Sequence, residues 1–367
     1  MRIAFLHHSF IIGSGTDSLI YQYAKRMSLE HQVEVFTFRS YYKLPTDNSW
    51  KINTIDIPFG KTRLGSGVFA PLFIPWHSLR KRLEQFDIVV VQLYPANLIP
   101  ILPKKLSTKV ITVEWGTPSG VWSRWQERLY VKLAEWASGI ACRRADKVLV
   151  GSKFVQNYVK QKYGVNSKVL CLDGLDFSLL DKDKYQNKRK DNILYIGRIS
   201  PHKNLHTLIE AFQQVKQAVP NATLTIVGSH TFPRYTEKLH KLAAKLSLVN
   251  SVKWAGAVSW EALPQYYADC SVYCSPSLWE GFMRCEAFAF EKPMVVFNNT
   301  ANAETVKDKE SGFVVKENTP EALALALITL LKDSELQHKM GKAGYSWAKN
   351  NLDLDIITKE LVNDLIT

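Results

Sequence analysis

Residues 277–286 have the sequence SLWEGFMRCE and follow an apolar run at residues 272–274. A second segment about eighty residues upstream, GRISPHK at residues 197–203, follows another apolar run at residues 193–196. A strand, a glycine turn and then cations before a helix N-terminus is a way to hold phosphate. The two segments therefore predict a pocket for a nucleoside diphosphate carrying a sugar, with cations from one segment and backbone amides and carboxylates from the other.

Both halves of the chain alternate apolar strands with amphipathic helices, the pattern of a parallel sheet with helices on both faces. Strands are predicted at residues 2–6, 32–36, 88–92, 109–113, 147–150, 192–196, 223–227, 252–254, 270–274, 293–297 and 312–315. Helices are predicted at residues 17–27, 121–144, 206–219, 236–246 and 319–331. A chain of 367 residues is too long for one ordinary core. The charged run at residues 181–191 is typical of an exposed connector, so two α/β domains are expected.

The net charge of +13 is unevenly distributed. Residues 1–180 hold 24 Lys and Arg against 13 Asp and Glu, whereas residues 181–367 hold 23 against 21. A basic first half predicts an anionic partner, and a membrane surface or nucleic acid fits that description. No run of eighteen apolar residues argues for a spanning helix. The short apolar N-terminus predicts a first strand instead of a secretory signal, and five cysteines without CxxC spacing indicate reduced thiols, so a cytoplasmic protein is expected.

The two segments resemble those of glycosyltransferase family 4, which are retaining sugar transferases of the two-domain GT-B fold. Arg198 and Lys203, with Lys five positions after Arg, match the element that binds the donor diphosphate. Residues 280–282, Glu-Gly-Phe, match the start of the family's E-G-F-G-x4-E element, and residues 286–293 match its end, usually E-A-x-A-x-G-x-P. Two departures are visible. Five residues instead of seven separate the two glutamates, and Met283 replaces the second glycine.

The resemblance implies an α/β protein of the GT-B fold, with two Rossmann-like domains whose parallel sheets face a central cleft. Residues 1–176 would form the domain that binds the acceptor, and residues 177–345 the domain that binds the nucleotide sugar. Residues 346–367 would form a C-terminal helix that crosses back to the first domain. Their periodicity fits a helix that caps the second domain equally well.

Roles of individual donor-site residues also follow from the resemblance. Arg198 and Lys203 would neutralise the diphosphate leaving group, Glu280 would lie near the transferred sugar, and Glu286 would accept hydrogen bonds from the ribose hydroxyls. The backbone groups expected to line the donor pocket belong to Gly197, Gly281, Phe282 and Met283. The structural alternatives are solvated surface cations and, for Glu286, a carboxylate in the first turn of a helix.

Two features of the first half belong to the predicted site. Gly13 and Gly15 lie between the first strand and the first helix, where the family has a glycine-rich loop that faces acceptor and phosphate. A tight turn satisfies the same pattern, and Ser18 stands where a dinucleotide fingerprint needs a third glycine. Glu114 follows the fourth apparent strand, where family members carry a histidine near the acceptor. It would orient an acceptor hydroxyl or assist in removing its proton, and a helix-capping acid is the alternative.

The implied reaction moves a hexose from a nucleoside diphosphate sugar to an acceptor hydroxyl with retention of configuration, and it needs no metal and no other cofactor. Trp and Arg in residues 61–82 and 121–136, with the basic first half, favour a lipid-linked or glycan acceptor and contact with the inner face of the cell membrane. Such acceptors occur in the assembly of cell-surface polysaccharides, glycolipids and glycoprotein glycans. Nucleic acid is not an expected partner, because it leaves the second-half segments unexplained. Two alternatives stay open, namely a GT-B protein that binds nucleotide sugar or glycan without transfer, and a GT-B isomerase or phosphorylase.

Overall fold

The computed structural model describes residues 1–8, 15–38, 50–55, 70–101, 108–116, 125–187, 190–230, 232–281 and 285–367. The chain divides into two compact units, Met1–Leu172 with Asp355–Thr367, and Asp173–Leu354. Predicted site residues that lie outside the described residues are Gly13, Phe282 and Met283. The start of the predicted helix at residues 121–144 also lies outside them.

The first unit is built on a seven-stranded sheet in which all strands run parallel, in the order β3-β2-β1-β4-β5-β6-β7. Its strands are β1 Arg2–His7, β2 Gln32–Thr37, β3 Trp50–Thr54, β4 Ile88–Gln92, β5 Lys109–Glu114, β6 Lys147–Val150 and β7 Lys168–Val169. Its helices are α1 Gly15–Met27, α2 Ala70–Phe73, α3 Trp76–Leu83, α4 Trp125–Arg144, α5 Lys153–Tyr163 and the C-terminal α13 Leu354–Ile366. The central strands are buried on both faces, which is why they read as continuous apolar runs.

The second unit repeats this plan with six parallel strands in the order β10-β9-β8-β11-β12-β13. These strands are β8 Asn192–Ile196, β9 Thr223–Val227, β10 Val252–Gly256, β11 Val272–Ser275, β12 Met294–Phe297 and β13 Gly312–Val315. The helices are α6 Leu205–Ala218, α7 Pro233–Lys245, α8 Leu263–Ala268, α9 Glu286–Ala289, α10 Asn302–Thr305, α11 Pro320–Lys332 and α12 Ser334–Asn351. The start of α11 shows the expected cap, because the Thr319 hydroxyl accepts a hydrogen bond from the Ala322 amide and Pro320 occupies the first helical position.

The eleven predicted strands are all present, five of them with the predicted ends and six with ends that differ by one or two residues. Two strands were not predicted. β3 carries polar residues at three of its five positions, and β7 is only two residues long, so neither produces a clear apolar pattern. No helix among the described residues combines the length and the apolar character needed to cross a membrane.

Three lysines begin neighbouring strands at the amino-terminal edge of the first sheet, Lys109 in β5, Lys147 in β6 and Lys168 in β7. The ammonium groups of Lys147 and Lys168 donate to Asp364 Oδ1 at 2.9 and 2.6 Å. Lys109 Nζ donates to the carbonyl oxygen of Leu365 at 3.0 Å. Because the carbonyls at a helix C-terminus carry partial negative charge, the three lysines bind the last turn of α13 and keep it in this unit.

The ion pairs of Asp364 predict how the stability of the first unit depends on pH. Burial raises the pKa of Asp364, but hydrogen bonds from Lys168 and Lys147 outweigh burial and hold that pKa below its usual value. A group whose pKa is depressed on folding stabilises the protein above its unfolded pKa of about 4, and the contribution is lost as the pH falls through the folded pKa. We predict that Asp364→Asn lowers the free energy of unfolding by roughly 1–3 kcal/mol at pH 7 and by less at pH 3.5.

Denaturant unfolding at the two pH values measures this difference. Asp183→Asn is the matched control, because the Asp183 side chain is 86% exposed and its loss should change the free energy of unfolding by less than about 0.5 kcal/mol. An Asp364→Asn loss of equal size at both pH values would contradict the prediction.

Candidate active site

The connection after β8 lies where the strand order of the second sheet reverses, since β8 pairs with β9 on one side and with β11 on the other. In open parallel sheets, ligands bind beyond the carboxyl ends of the strands at such a reversal. Gly197, Arg198 and Lys203 all lie in this connection, and the Arg198 side chain is exposed. The second predicted segment, which contains Glu280, follows β11, the strand next to β8, at the same edge of the sheet.

Two glycines allow the backbone at Arg198 to pack closely against the end of β9. A Cβ on Gly228 would lie 1.8 Å from the carbonyl oxygen of Gly197, and a Cβ on Gly197 would lie 2.5 Å from the Tyr195 hydroxyl. The Gly197 amide donates to the Val227 carbonyl at 2.9 Å. The Tyr195 hydroxyl donates to the Arg198 carbonyl at 3.2 Å. The backbone of Arg198 is therefore fixed while its guanidinium stays in solvent.

Lys203 closes a single 3-10 turn, Pro201–Lys203, directly before α6. The next residue, Asn204, has φ 58° and begins the helix in a left-handed conformation, which Asn tolerates better than most residues. Its side-chain oxygen accepts a hydrogen bond from the Thr207 hydroxyl at 2.8 Å. This turn places the Lys203 ammonium at the N-terminal end of α6, with its side chain 15% exposed.

The connection after β11 binds the connection after β8 through backbone and side chains. The Leu278 amide donates to the His202 carbonyl at 2.8 Å. The Lys203 ammonium donates to Glu280 Oε1 in a short ion pair. The Ser277 hydroxyl donates to the same Glu280 oxygen at 2.7 Å. The structure thus brings together the cation and the carboxylate that the sequence predicted in one site.

His202 lies between the two predicted phosphate-binding cations and is buried. Burial, and then the positive charges of Lys203 and Arg198, lower the pKa of His202 to about 2. Its imidazole is therefore neutral at any physiological pH. A neutral His202 adds bulk and hydrogen-bonding capacity between two cations without adding a third positive charge.

Glu286 begins α9 and is buried, as are the three residues that follow it in the helix. Gly281 is half-buried at the other end of the same connection. The connection after β12 joins this group, because the Ala301 amide donates to the Glu280 carbonyl at 3.2 Å. The carboxyl ends of β8, β11 and β12 therefore all contribute to the surroundings of Glu280.

Asn302 was not predicted as a site residue, yet its side chain is unusual. Asn302 is 0% exposed, and within the described part of the chain neither of its side-chain polar atoms, Nδ2 and Oδ1, has a hydrogen-bond partner. A sealed amide without partners is costly. Because the preceding residue contacts Glu280, Asn302 is a candidate for contact with a bound molecule or an ordered water.

In the first unit the carboxyl end of β1 carries a pair that was not predicted. His7 Nε2 lies 2.7 Å from Asp17 Oδ1, and both side chains are buried. His7 ends β1 and Asp17 lies in the first turn of α1, which begins at the predicted residue Gly15. A histidine at a strand end followed by an acid in the first turn of the next helix is the signal that could have identified this pair.

Glu114 ends β5 and is 6% exposed. Its Oε1 accepts a hydrogen bond from the Gly116 amide at 3.0 Å, and its carboxyl also bonds to Ser138 of α4. The amide of Asn97 donates to the Ser138 hydroxyl at 3.0 Å. Burial raises the pKa of Glu114, and its hydrogen bonds to Ser138 and Gly116 offset that rise only in part. The carboxyl is thus part of a buried polar network next to the strand end.

Ser277 and Gly228 of the second unit, like Asn302, were not predicted as site residues. Gly228 directly follows the predicted strand at residues 223–227, the same signal that identified Gly197 after its own strand. Ser277 has no comparable signal, because its role depends on the Glu280 side chain that it contacts. No group of three or more His, Cys, Asp or Glu side chains is arranged to hold a metal ion in the described ranges, and the metal-free reaction stays a prediction.

Two family models match the chain. Residues 13–171 match "Glycosyltransferase Family 4", and residues 177–347 match "Glycosyl transferases group 1". A similar protein of Mycobacterium tuberculosis is the GDP-mannose-dependent alpha-(1-6)-phosphatidylinositol monomannoside mannosyltransferase, 27% identical over 193 residues, which are 50% of this chain and 49% of that protein. The chain therefore spans about half the length of this curated relative.

Two solved structures have the same fold over nearly their whole length. Anabaena Alr3699/HepE in complex with UDP and glucose is 21% identical, with a TM-score of 0.80 and 100% of both chains covered. The sucrose-phosphate synthase of Thermosynechococcus elongatus is 18% identical, with a TM-score of 0.81, and 99% of this chain and 97% of that one are covered. The predicted GT-B fold, two parallel-sheet Rossmann-like units, is confirmed. One family model matches the first unit and the other matches the second, and together they cover most of the chain. The protein therefore belongs to glycosyltransferase family 4, the group 1 glycosyl transferases.

Proposed function

We propose that this protein is a retaining glycosyltransferase that moves a hexose from a nucleoside diphosphate sugar to an acceptor hydroxyl without a metal ion. The observation that carries the proposal is the cluster of Lys203, Glu280 and Ser277 beside the exposed Arg198, at the reversal of strand order in the second unit. The named substrates of similar proteins agree with it, because one uses GDP-mannose and another was solved with UDP and glucose.

The predicted donor-site residues have distinct tasks in such a reaction. The planar guanidinium of Arg198 can bind two phosphate oxygens at once, whereas the Lys203 ammonium acts as a point charge. Both would stabilise the diphosphate as the sugar–oxygen bond breaks and negative charge develops on the leaving group. Glu280 would contact the transferred sugar, and Glu286 would accept hydrogen bonds from the ribose.

The acceptor is proposed to be a lipid-linked or glycan hydroxyl that binds to the first unit. The relative from M. tuberculosis acts, by its name, on a phosphatidylinositol mannoside, which supports a lipid-linked acceptor. Product formation with an added acceptor separates transfer from the two alternatives. A pure nucleotide-sugar binder would show no turnover, and an isomerase or phosphorylase would react without any acceptor hydroxyl.

The donor is identified by thermal unfolding in the presence of UDP, GDP, ADP and CMP and their common sugar conjugates. A ligand present at 100 times its dissociation constant stabilises the folded state by about 2.7 kcal/mol, enough for a clear shift of the midpoint. We predict that one base raises the midpoint in a buffer with chelator and without added metal. No shift with any of these nucleotides would contradict the proposed function.

Removal of both cations should abolish nucleotide binding in a folded protein. Each hydrogen bond to a charged group contributes about 1.5–3 kcal/mol, so Arg198→Ala with Lys203→Ala should weaken binding roughly 10²–10⁴-fold. Isothermal calorimetry with the nucleotide from the screen measures this loss. The control is Lys238→Ala with Lys241→Ala, two exposed lysines of α7. Unchanged affinity in the first double variant would contradict the assignment of these cations to the diphosphate.

For Glu114 we propose a role in positioning on the acceptor side, since its described contacts are the Gly116 amide and Ser138. Glu114→Gln keeps a group that accepts and a group that donates hydrogen bonds at the same place, and it should retain most transfer activity. Glu114→Ala should lose about tenfold or more of the transfer activity. The pKa of Glu114 is raised on folding, so its contribution to stability is present at low pH and is lost as the pH rises through the folded pKa.

Glu114→Gln should therefore be at least as stable as the natural protein at pH 8. Activity assays and thermal unfolding at pH 6 and pH 8 measure both effects. A folded Glu114→Gln that loses about 10²-fold or more in transfer would show that the carboxyl itself takes part in proton transfer, the second of the two roles that the sequence suggested.

Association with an anionic membrane surface is proposed for the first unit. Leu72 and Phe73 of α2 are 77% and 41% exposed, and the last turn of the next helix, α3, carries the exposed basic residues Lys81 and Arg82. Apolar side chains next to cations suit the headgroup region of an anionic bilayer. We predict that Leu72→Ser with Phe73→Ser weakens binding to phosphatidylglycerol vesicles about tenfold in a sedimentation assay.

Leu325→Ser is the matched control for this experiment, because Leu325 is 68% exposed on α11 of the second unit. Its vesicle binding should equal that of the natural protein. Equal binding by all variants, or no binding by any of them, would contradict the proposed membrane surface.

A further inference from the structure

A single carboxylate oxygen, Oε1 of Glu280, accepts hydrogen bonds from two different groups. One is the ammonium of Lys203, and the other is the hydroxyl of Ser277 at 2.7 Å. The side chains of Lys203 and Glu280 are only 15% and 17% exposed, and Ser277 is fully buried. The ion pair is therefore largely shielded from water, and its Coulombic attraction is screened less than that of an exposed surface pair.

This ion pair has a consequence for donor binding, if the proposed function holds. The ammonium that would neutralise the diphosphate is paired with the Glu280 carboxylate in this structure. A diphosphate carries more negative charge than one carboxylate, so it can compete for Lys203, but it must do so against the charge of Glu280. Glu280 thus lowers the affinity for any diphosphate that binds here.

The two partners of the ion pair differ in how firmly they are held. The backbone of Glu280 is fixed by the Ala301 amide, which donates to its carbonyl at 3.2 Å, and its carboxylate is held by Ser277. Lys203 has a flexible four-carbon stem with three donors on a rotatable ammonium. When the partners separate, the Lys203 side chain is therefore the one that moves.

We propose that Lys203 exchanges Glu280 for the donor diphosphate on binding, and that Ser277 is the positioning residue that keeps Glu280 in place for the sugar during this exchange. The Ser277 hydroxyl is in turn 3.3 Å from the Ser275 hydroxyl at the end of β11. Through Ser277 and Ser275, the carboxylate of Glu280 is thus linked to the end of β11. Once Lys203 has left, that hydroxyl still binds the oxygen that both groups shared.

The first test compares Glu280→Gln with the natural protein, using calorimetry with inorganic pyrophosphate and with UDP, GDP, ADP and CDP. Gln keeps the size and the hydrogen-bonding oxygen of Glu280 but removes the charge that competes for Lys203. We expect Glu280→Gln to bind pyrophosphate and the preferred nucleoside diphosphate about tenfold more tightly. Glu237→Gln is the matched control, because Glu237 forms an exposed pair with Lys241 at 2.7 Å on α7, and its affinities should be unchanged.

The second test concerns Ser277 and measures how much the sugar adds to binding. Ser277→Ala should bind the nucleoside diphosphate within about twofold of the natural protein, because Lys203 is unaffected, yet bind the corresponding nucleotide sugar about fivefold less tightly. Turnover should fall in kcat more than in KM. Ser271→Ala is the control, a buried serine directly before the same strand, and it should leave both affinities and turnover unchanged.

The outcomes distinguish this inference from the proposed function. If neither the natural protein nor Glu280→Gln binds any of the diphosphates, the proposed function fails and the exchange fails with it. If the natural protein binds one of them and a folded Glu280→Gln binds it equally or less tightly, the proposed function stands and the exchange is wrong. If Ser277→Ala loses affinity for the nucleoside diphosphate and its sugar conjugate alike, Ser277 does not act through Glu280.

Discussion

The reversal of strand order at the first strand of each sheet is the constraint on which the rest of the structure depends. In the second unit the chain places β9 and β10 on one side of β8 and then returns to place β11 to β13 on the other. Connections on the two sides of a reversal leave the sheet edge in different directions, and residues from distant parts of the chain meet between them. The bond between Lys203 and Glu280 joins residues 77 positions apart for this reason. The first unit has the same reversal at β1, and its buried pair of His7 and Asp17 lies at the equivalent strand end.

The parts of this arrangement that could be predicted from the sequence are those with a local signal. A buried strand of a parallel sheet reads as an apolar run, and the glycine and cations that follow β8 mark Arg198 and Lys203 within a dozen residues. The contact of Lys203 with Glu280 has no local signal, because it depends on β8 and β11 being neighbours. Gly228 follows its strand as Gly197 does, but glycine is required there because a Cβ would lie 1.8 Å from the Gly197 carbonyl oxygen at the adjacent strand end, a contact that only the fold shows. Local pattern thus identifies the residues, and topology decides which of them meet.

The charge of the chain illustrates the same limit. An excess of basic residues in the first half predicted an anionic partner. Three of those residues, Lys109, Lys147 and Lys168, instead bind the carbonyls and the carboxylate at the end of α13, more than 190 positions away for each lysine. A net charge counts such lysines as if they were available to a partner. The part of the excess that is available to an anionic partner is therefore smaller than the sequence total.

The end of the donor segment also departs from the usual family pattern, at the position of its glycine. Glu291 stands at the glycine of E-A-x-A-x-G-x-P and adopts φ 53°, a conformation that costs a residue with a side chain about 1–2 kcal/mol. Its carbonyl packs against Gly341 of α12, where a Cβ would lie 1.8 Å away, and its carboxylate pairs with Lys182 at 3.0 Å. These contacts hold the conformation that glycine would otherwise provide, so α9 keeps its place in the core and Glu286 still begins it. Glu280, on the other side of the shortened connection, is held by contacts of its own with Lys203, Ser277 and the Ala301 amide.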